Sequence, residues 1–236
     1  MKILVRLFFG FILSGIVAWS ALAQEGRKFT FKDESPGKEA NLFSSMVGMW
    51  LIDKDGPRYV YAVDGRSGKS FLSQKAEINA KALFGAKHAD FLKGITAYKE
   101  FPLTICKEVP DFSDGTLVIS FKAISGGEDQ AAGIAFNIKP NGEYLAVRAN
   151  ALEKNLVLFK FEKGRRTSLQ WVNNVPTSSR QWHTLKVTIK GKKIEGYLDD
   201  KQYLNYTSEY LISGRIGLWS KADSYVLFDN FIVQPM

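Results

Sequence analysis

The chain has 236 residues, a formal net charge of +8 at pH 7, 24% charged residues and one cysteine, Cys106. One cysteine excludes an internal disulfide, so a hydrophobic core must hold the fold, and the length suits one large β domain rather than two small ones. The basic excess does not point to nucleic acid, because Lys163-Gly164-Arg165-Arg166 and Lys190-Gly191-Lys192-Lys193 sit at turns, where lysines protect sheet edges.

The first element is a leader. Lys2 and Arg6 precede an apolar run from Leu7 to Trp19, which ends in Ala21-Leu22-Ala23 before Gln24. A basic start, a short apolar middle and a small-residue end predict a secretory signal over 1–23. The run is short for a bilayer span, which needs about 20 apolar residues, so no stable membrane span is expected after cleavage. A periplasmic or extracellular protein of residues 24–236 follows. Residues 1–23 hold two basic groups and no acid, which leaves the remainder at +6.

From Phe29 to Trp50 the chain reads as an extended start, broken at Ser35-Pro36-Gly37, and Trp50 to Asp53 gives a clear strand. Short strands are predicted at Tyr59 to Val63 and Lys69 to Ser73. Over about 74–93 alanine and lysine rise, and Ala76, Ala80, Leu83 and Phe84 recur at helical spacing up to Gly85. This predicts an insertion with one or two helical turns.

Strand text resumes at Phe101 and runs to the end. Leu117, Ile119 and Phe121 alternate with Val118 and Ser120. Ile134, Phe136 and Ile138 oppose Gly133, Ala135 and Asn137, and after the Lys139-Pro140-Asn141-Gly142 turn Leu145, Val147 and Ala149 oppose Tyr144, Ala146, Arg148 and Asn150. His183, Leu185, Val187 and Ile189 share a face, Asp199-Asp200-Lys201 closes a hairpin, and Arg215 to Ser220 and Tyr225 to Val233 are the last strands. A period of two puts one face in a core. The other face here carries small, amide and guanidinium groups, which suit a polar ligand. Strands at roughly ten-residue spacing predict an all-β, two-sheet antiparallel jelly-roll sandwich with a partly helical insertion.

The segments DQAAGIAF (129–136), YLAVRANALEKNLVLFKFEKGRRTSL (144–169), QWHTLKVTIKG (181–191) and ISGRIGLWSKADSYVLFDNFIV (212–233) carry a resemblance. Together they resemble the concanavalin A-like jelly-roll domains of the 3-keto-disaccharide hydrolase, or family-16-like glycoside hydrolase, type found in secreted bacterial proteins. The resemblance covers Phe101 to the end well and Trp50 to Ser73 loosely. It implies two curved sheets stacked face to face, with sugar contacts on the concave sheet or its rim loops.

The residues themselves favour binding over catalysis. No glutamate has aspartate two positions later, so the Glu-x-Asp strand motif of family-16 enzymes is absent. Glu195 and Asp199 share a strand face by alternation but form no recognised pair. His183 falls on the apolar face and reads as a hydrogen-bonded structural group, His88 lies in the insertion, and Cys106 reads as buried and inert. Nothing implies a cofactor, and Asp229 alone is too little for a calcium site, which takes six to eight oxygens. Sugar binding needs aromatic faces beside amides and charges. Trp219, Trp171, Arg148, Asn150, Lys221 and Asp223 are the candidate ligand-binding residues. For Arg148 an ion pair with Glu153 or Asp223 is the competing reading, and for Trp219 it is packing against a neighbouring aromatic or the insertion. The leading expectation is a secreted, non-catalytic carbohydrate-binding module. A 3-keto-disaccharide hydrolase and a structural module docking to an envelope protein are the alternatives.

Overall fold

Wherever the sequence alternates with period two, the chain is strand. The computed structural model describes residues 26–67 and 71–236; the expected leader lies outside them, as do residues 68–70 of the strand predicted at Lys69 to Ser73. In chain order the elements begin with β1 (Arg27–Phe29), β2 (Phe43–Val47), β3 (Trp50–Asp55) and β4 (Arg58–Asp64). The insertion follows as α1 (Ala76–Phe84), a 3-10 turn at Gly85–Lys87 and α2 (His88–Thr96). Then come β5 (Leu103–Cys106), β6 (Gly115–Ser125), β7 (Ala131–Ile138), β8 (Tyr144–Asn150), β9 (Asn155–Glu162) and β10 (Arg165–Asn173). The chain ends with β11 (Trp182–Lys190), β12 (Lys193–Leu198), β13 (Lys201–Thr207), β14 (Arg215–Ser220) and β15 (Tyr225–Pro235).

All strand pairs are antiparallel and form two sheets. The first has eight strands in the order β13-β12-β11-β6-β15-β4-β3, with β1 added beside β15. The second has seven in the order β10-β9-β8-β7-β14-β5-β2. The sandwich core forms where the predicted apolar faces meet: Leu117, Ile119 and Phe121 of β6 and Leu185, Val187 and Ile189 of β11 join one cluster with Ile134 and Phe136 of β7 and Leu145 and Val147 of β8. Each such side chain contributes about 1.5–3 kcal/mol on burial. The two-sheet antiparallel sandwich is as the sequence predicts. Cys106 lies in this core, where burial pushes its thiol up to about 11, so it is inert.

A second apolar cluster covers the outer face of the seven-stranded sheet. Its floor is the small face read from the sequence, including Ala131, Ala135 and Ala146. On that floor lie Trp219, Phe159, Phe161 and Tyr144, α2 adds Phe91 and Ile95, and the segment after it adds Tyr98 and Phe101. A Cβ on Gly133 would lie 3.1 Å from Trp219 Cε3, so the glycine makes room for the indole. Small residues on this face therefore accommodate aromatics rather than open a polar hollow, which corrects the expectation of a hydrophilic surface along its whole length.

The insertion is also more helical than predicted. Gly85, at φ +55°, reorients the chain instead of ending the helix, and Phe91 and Ile95 continue the apolar spacing in α2. Its seat is close: a Cβ on Gly94 would lie 1.9 Å from Asn141 O in the β7–β8 turn.

Candidate functional site: the polar end of the seven-stranded sheet

Beyond the aromatic layer, the outer face ends in charged and amide groups at the C-terminal end of β8 and the N-terminal end of β9. Alternation along β8 puts Arg148 and Asn150 outward beside Tyr144 and Ala146, and antiparallel pairing sets Asn150 opposite Asn155. The β6–β7 loop is fixed by Asp223, whose carboxylate accepts the N–H groups of Gly127 (2.5 Å), Glu128 (3.1 Å) and Asp129 (2.9 Å). Burial raises the Asp223 carboxyl, but these N–H bonds outweigh it and hold the group below the usual aspartate value.

Asp129, so placed, becomes the centre of a network. Its Oδ1 accepts Asn150 Nδ2 at 2.8 Å, its Oδ2 lies 2.5 Å from Lys221 Nζ, and Arg148 Nη1 lies 4.0 Å away. Asn150 Oδ1 accepts the N–H groups of Leu152 and Glu153, shaping the turn that returns Glu153 to Arg148. Glu153 Oε2 accepts from both Arg148 Nη atoms at 3.0 Å and from Asn155 Nδ2 at 2.8 Å. Two cations and two carboxylates thus balance one another. Arg148 is 1% exposed, and desolvation lowers its pKa against the opposing pull of Glu153 and Asp129. Burial raises Glu153, yet Asn155 and Arg148 bring it below the usual glutamate value. Arg148 Nε and Asn155 Oδ1 are buried and find no hydrogen-bond partner among the described residues.

Trp171 flanks this network from the edge strand β10. Its indole is 47% exposed, donates Nε1–H to Asn173 Oδ1 at 2.8 Å, stands edge-on to Phe159, and has the Arg148 guanidinium 5.7 Å from its centroid. Arg166 lies over the rings of Phe101 and Phe159, 4.9 Å from each.

The predicted residues therefore separate. Arg148, Asn150, Lys221 and Trp171 come together. Asp223 stands apart from them and positions the Asp129 loop through its carboxylate. Trp219 projects to the outer face as alternation requires, but it is 0% exposed, stacked on Phe101 at 5.7 Å and bonded to Tyr144 Oη. It is packing, not platform. Arg148 and Asn150 are buried rather than open to water, so they act through the network. Asp129 and Asn155, as members of the network, and Arg166, as its neighbour, are not among the residues that alternation singles out. Extending the β7 alternation two residues upstream from Ala131 would have put Asp129 on the same face.

The remaining candidates are structural. His183 Nδ1 lies 2.7 Å from Asp199 Oδ2 and its Nε2 accepts the Ser178 N–H, so the ring is fully engaged. Asp199, at φ +47°, turns away from the face of Glu195, which pairs with Lys193 and Tyr197 instead. This corrects the shared face read for those two carboxylates. His88 stays within the insertion, bonded to Gly85 O and 3.2 Å from Glu77. Asp229 accepts its neighbour's N–H, and among the described residues no group of three or more His, Cys, Asp or Glu is arranged to hold a metal. Among the described residues no helix is long and apolar enough to cross a membrane.

The family model for the C-terminal lectin domain of galactocerebrosidase matches residues 103–236. No curated protein sequence matches the chain significantly. Similar solved structures include the carbohydrate binding module CBM66 from Bacillus subtilis, 16% identical, with a TM-score of 0.57 over 81% of this chain and 95% of that one. A protein of unknown function with a galectin-like fold, also from Bacillus subtilis, is 13% identical, with a TM-score of 0.56 over 88% and 94%. A native glycosidic hydrolase is 12% identical, with a TM-score of 0.54 over 89% and 96%. At these identities the likeness establishes the sandwich fold alone.

Proposed function

Because this chain belongs to the family of the galactocerebrosidase C-terminal lectin domain, we propose that it is a non-catalytic glycan-binding module whose ligand docks at the polar end of the seven-stranded sheet. The observation that carries the reading is the Trp171 indole, half open to water, beside the Asp129–Arg148–Glu153–Lys221 network. The indole offers a flat apolar surface to one face of a sugar ring. Glu153 and Lys221, the accessible members of the network, hydrogen-bond its hydroxyls, while Arg148 and Asn150 hold them in place. Charge-assisted bonds of this kind are the stronger ones. The leader read from the sequence supports delivery to the periplasm or the exterior.

A hydrolase, whether for 3-keto-disaccharides or other glycosides, is the alternative. Asp129 and Glu153 flank one guanidinium nitrogen at 4.0 and 3.0 Å, so they stand within about 7 Å, a separation glycosidases use. An acid catalyst needs a raised pKa, however, and Glu153 is held low by Asn155 and Arg148. Asp129 is 1% exposed and tied to Lys221 and Asn150. Both observations support binding without turnover. A glycan array followed by isothermal titration tests this, with Trp171→Ala as the control. The expected result is saccharide binding by the wild-type protein, weakened about tenfold or more in the variant. Absence of binding to every saccharide by the folded protein would refute it.

A further inference from the structure

We propose that this site takes the terminal residue of a glycan chain and not an internal stretch, an inference that rests on the glycan-binding reading above. A groove for an internal stretch must cross the sheet in the order β10-β9-β8-β7-β14-β5-β2 and stay open at both ends. Here the face is exposed at Trp171 on β10 and is covered within a few strands. Trp219 of β14 lies over Gly133 of β7, and Phe101 stacks on that indole with ring planes 13° apart. Phe161 and Tyr98 continue the layer, with Tyr98 edge-on to both Phe161 and Tyr144. Arg166 closes the top of it, over Phe101 and Phe159.

The chain just before β5 completes the barrier. Pro102 O accepts the Ser220 N–H at 2.9 Å, and Glu100 O accepts the Ala222 N–H at 3.2 Å, so this segment runs alongside the Lys221 side of the site. The segment between α2 and β5 is therefore a wall, and it confines a ligand to the Trp171 side of Trp219.

The network's unused atoms fit the same ligand. A terminal residue carries a free hydroxyl where an internal residue carries its next linkage, and a hydroxyl both donates and accepts. Arg148 Nε is a donor and Asn155 Oδ1 an acceptor, both buried and without a hydrogen-bond partner among the described residues.

The test is isothermal titration of the wild-type protein with galacto-, cello-, laminari- and xylo-oligosaccharides of one to six units. In any series that binds, terminal recognition predicts a Kd per chain that changes by less than about threefold from two to six units. A Kd that tightens about tenfold or more over those lengths would overturn terminal recognition while leaving glycan binding intact. Failure of all four series to bind would count against glycan binding itself, and terminal recognition would fall with it.

Discussion

Arg148 shows how the network can be both structural and functional. A guanidinium 1% exposed is tolerated because Glu153 and Asp129 face it, and removing one member of such a pair costs about 3–5 kcal/mol. Glu153→Gln should therefore lower stability in urea unfolding by a smaller amount than Arg148→Ala, which loses both the charge and the contact with Phe159. Equal, negligible effects in the two variants would remove the network from the account. Asp223 supplies a pH signature. Its folded pKa is below the ordinary aspartate value of 3.8, so its stabilisation is complete above that value and is lost as pH falls through the lower folded one. Thermal melts should show Asp223→Asn less stable than wild type at neutral pH, with the gap closing below about pH 4. A gap independent of pH would mean the carboxylate charge is not what holds residues 127–129.

At this scale the sequence was legible in direction and not in cover. Alternation put Arg148, Asn150 and Trp219 on the correct face. It could not show that Gly133, Ala135 and Ala146 are small because aromatics from β9, β14 and the insertion lie over them. That information is spread over residues distant in sequence and becomes visible only when they pack.

Among the elements, the insertion has the largest effect on the site. Its two helices are joined through Gly85 and seated through Gly94, whose backbone approaches Asn141 too closely to admit a side chain. Gly94→Val should lift α2 from the β7–β8 turn, at a cost of about 1–3 kcal/mol for overpacking. Hydrogen exchange should then rise over residues 88–101 while the β6 and β11 amides stay protected, and uniform protection in the variant would show that the seat is dispensable. The sequence signalled helix here through Ala76, Ala80, Leu83 and Phe84. It gave no sign that Phe91, Ile95, Tyr98 and Phe101 would cover a sheet, because an amphipathic helix does not name the surface it covers.

For the whole molecule, two sheets share one core, and the second apolar layer over the seven-stranded sheet is far larger than the small cluster of Val60, Ala62 and Leu227 on the other. The sandwich itself was readable, since period-two alternation in β6, β7, β8 and β11 fixes which side chains meet between the sheets. What positions function is the asymmetry of the second layer, apolar over most of the seven-stranded sheet and charged at one end. The most direct measurement is the indole N–H region of an NMR titration with a saccharide that binds. Glycan docking at the polar end predicts that the Trp171 resonance shifts while those of Trp50, Trp182 and Trp219 stay in place. Shifts confined to Trp182, on the opposite sheet, would contradict it.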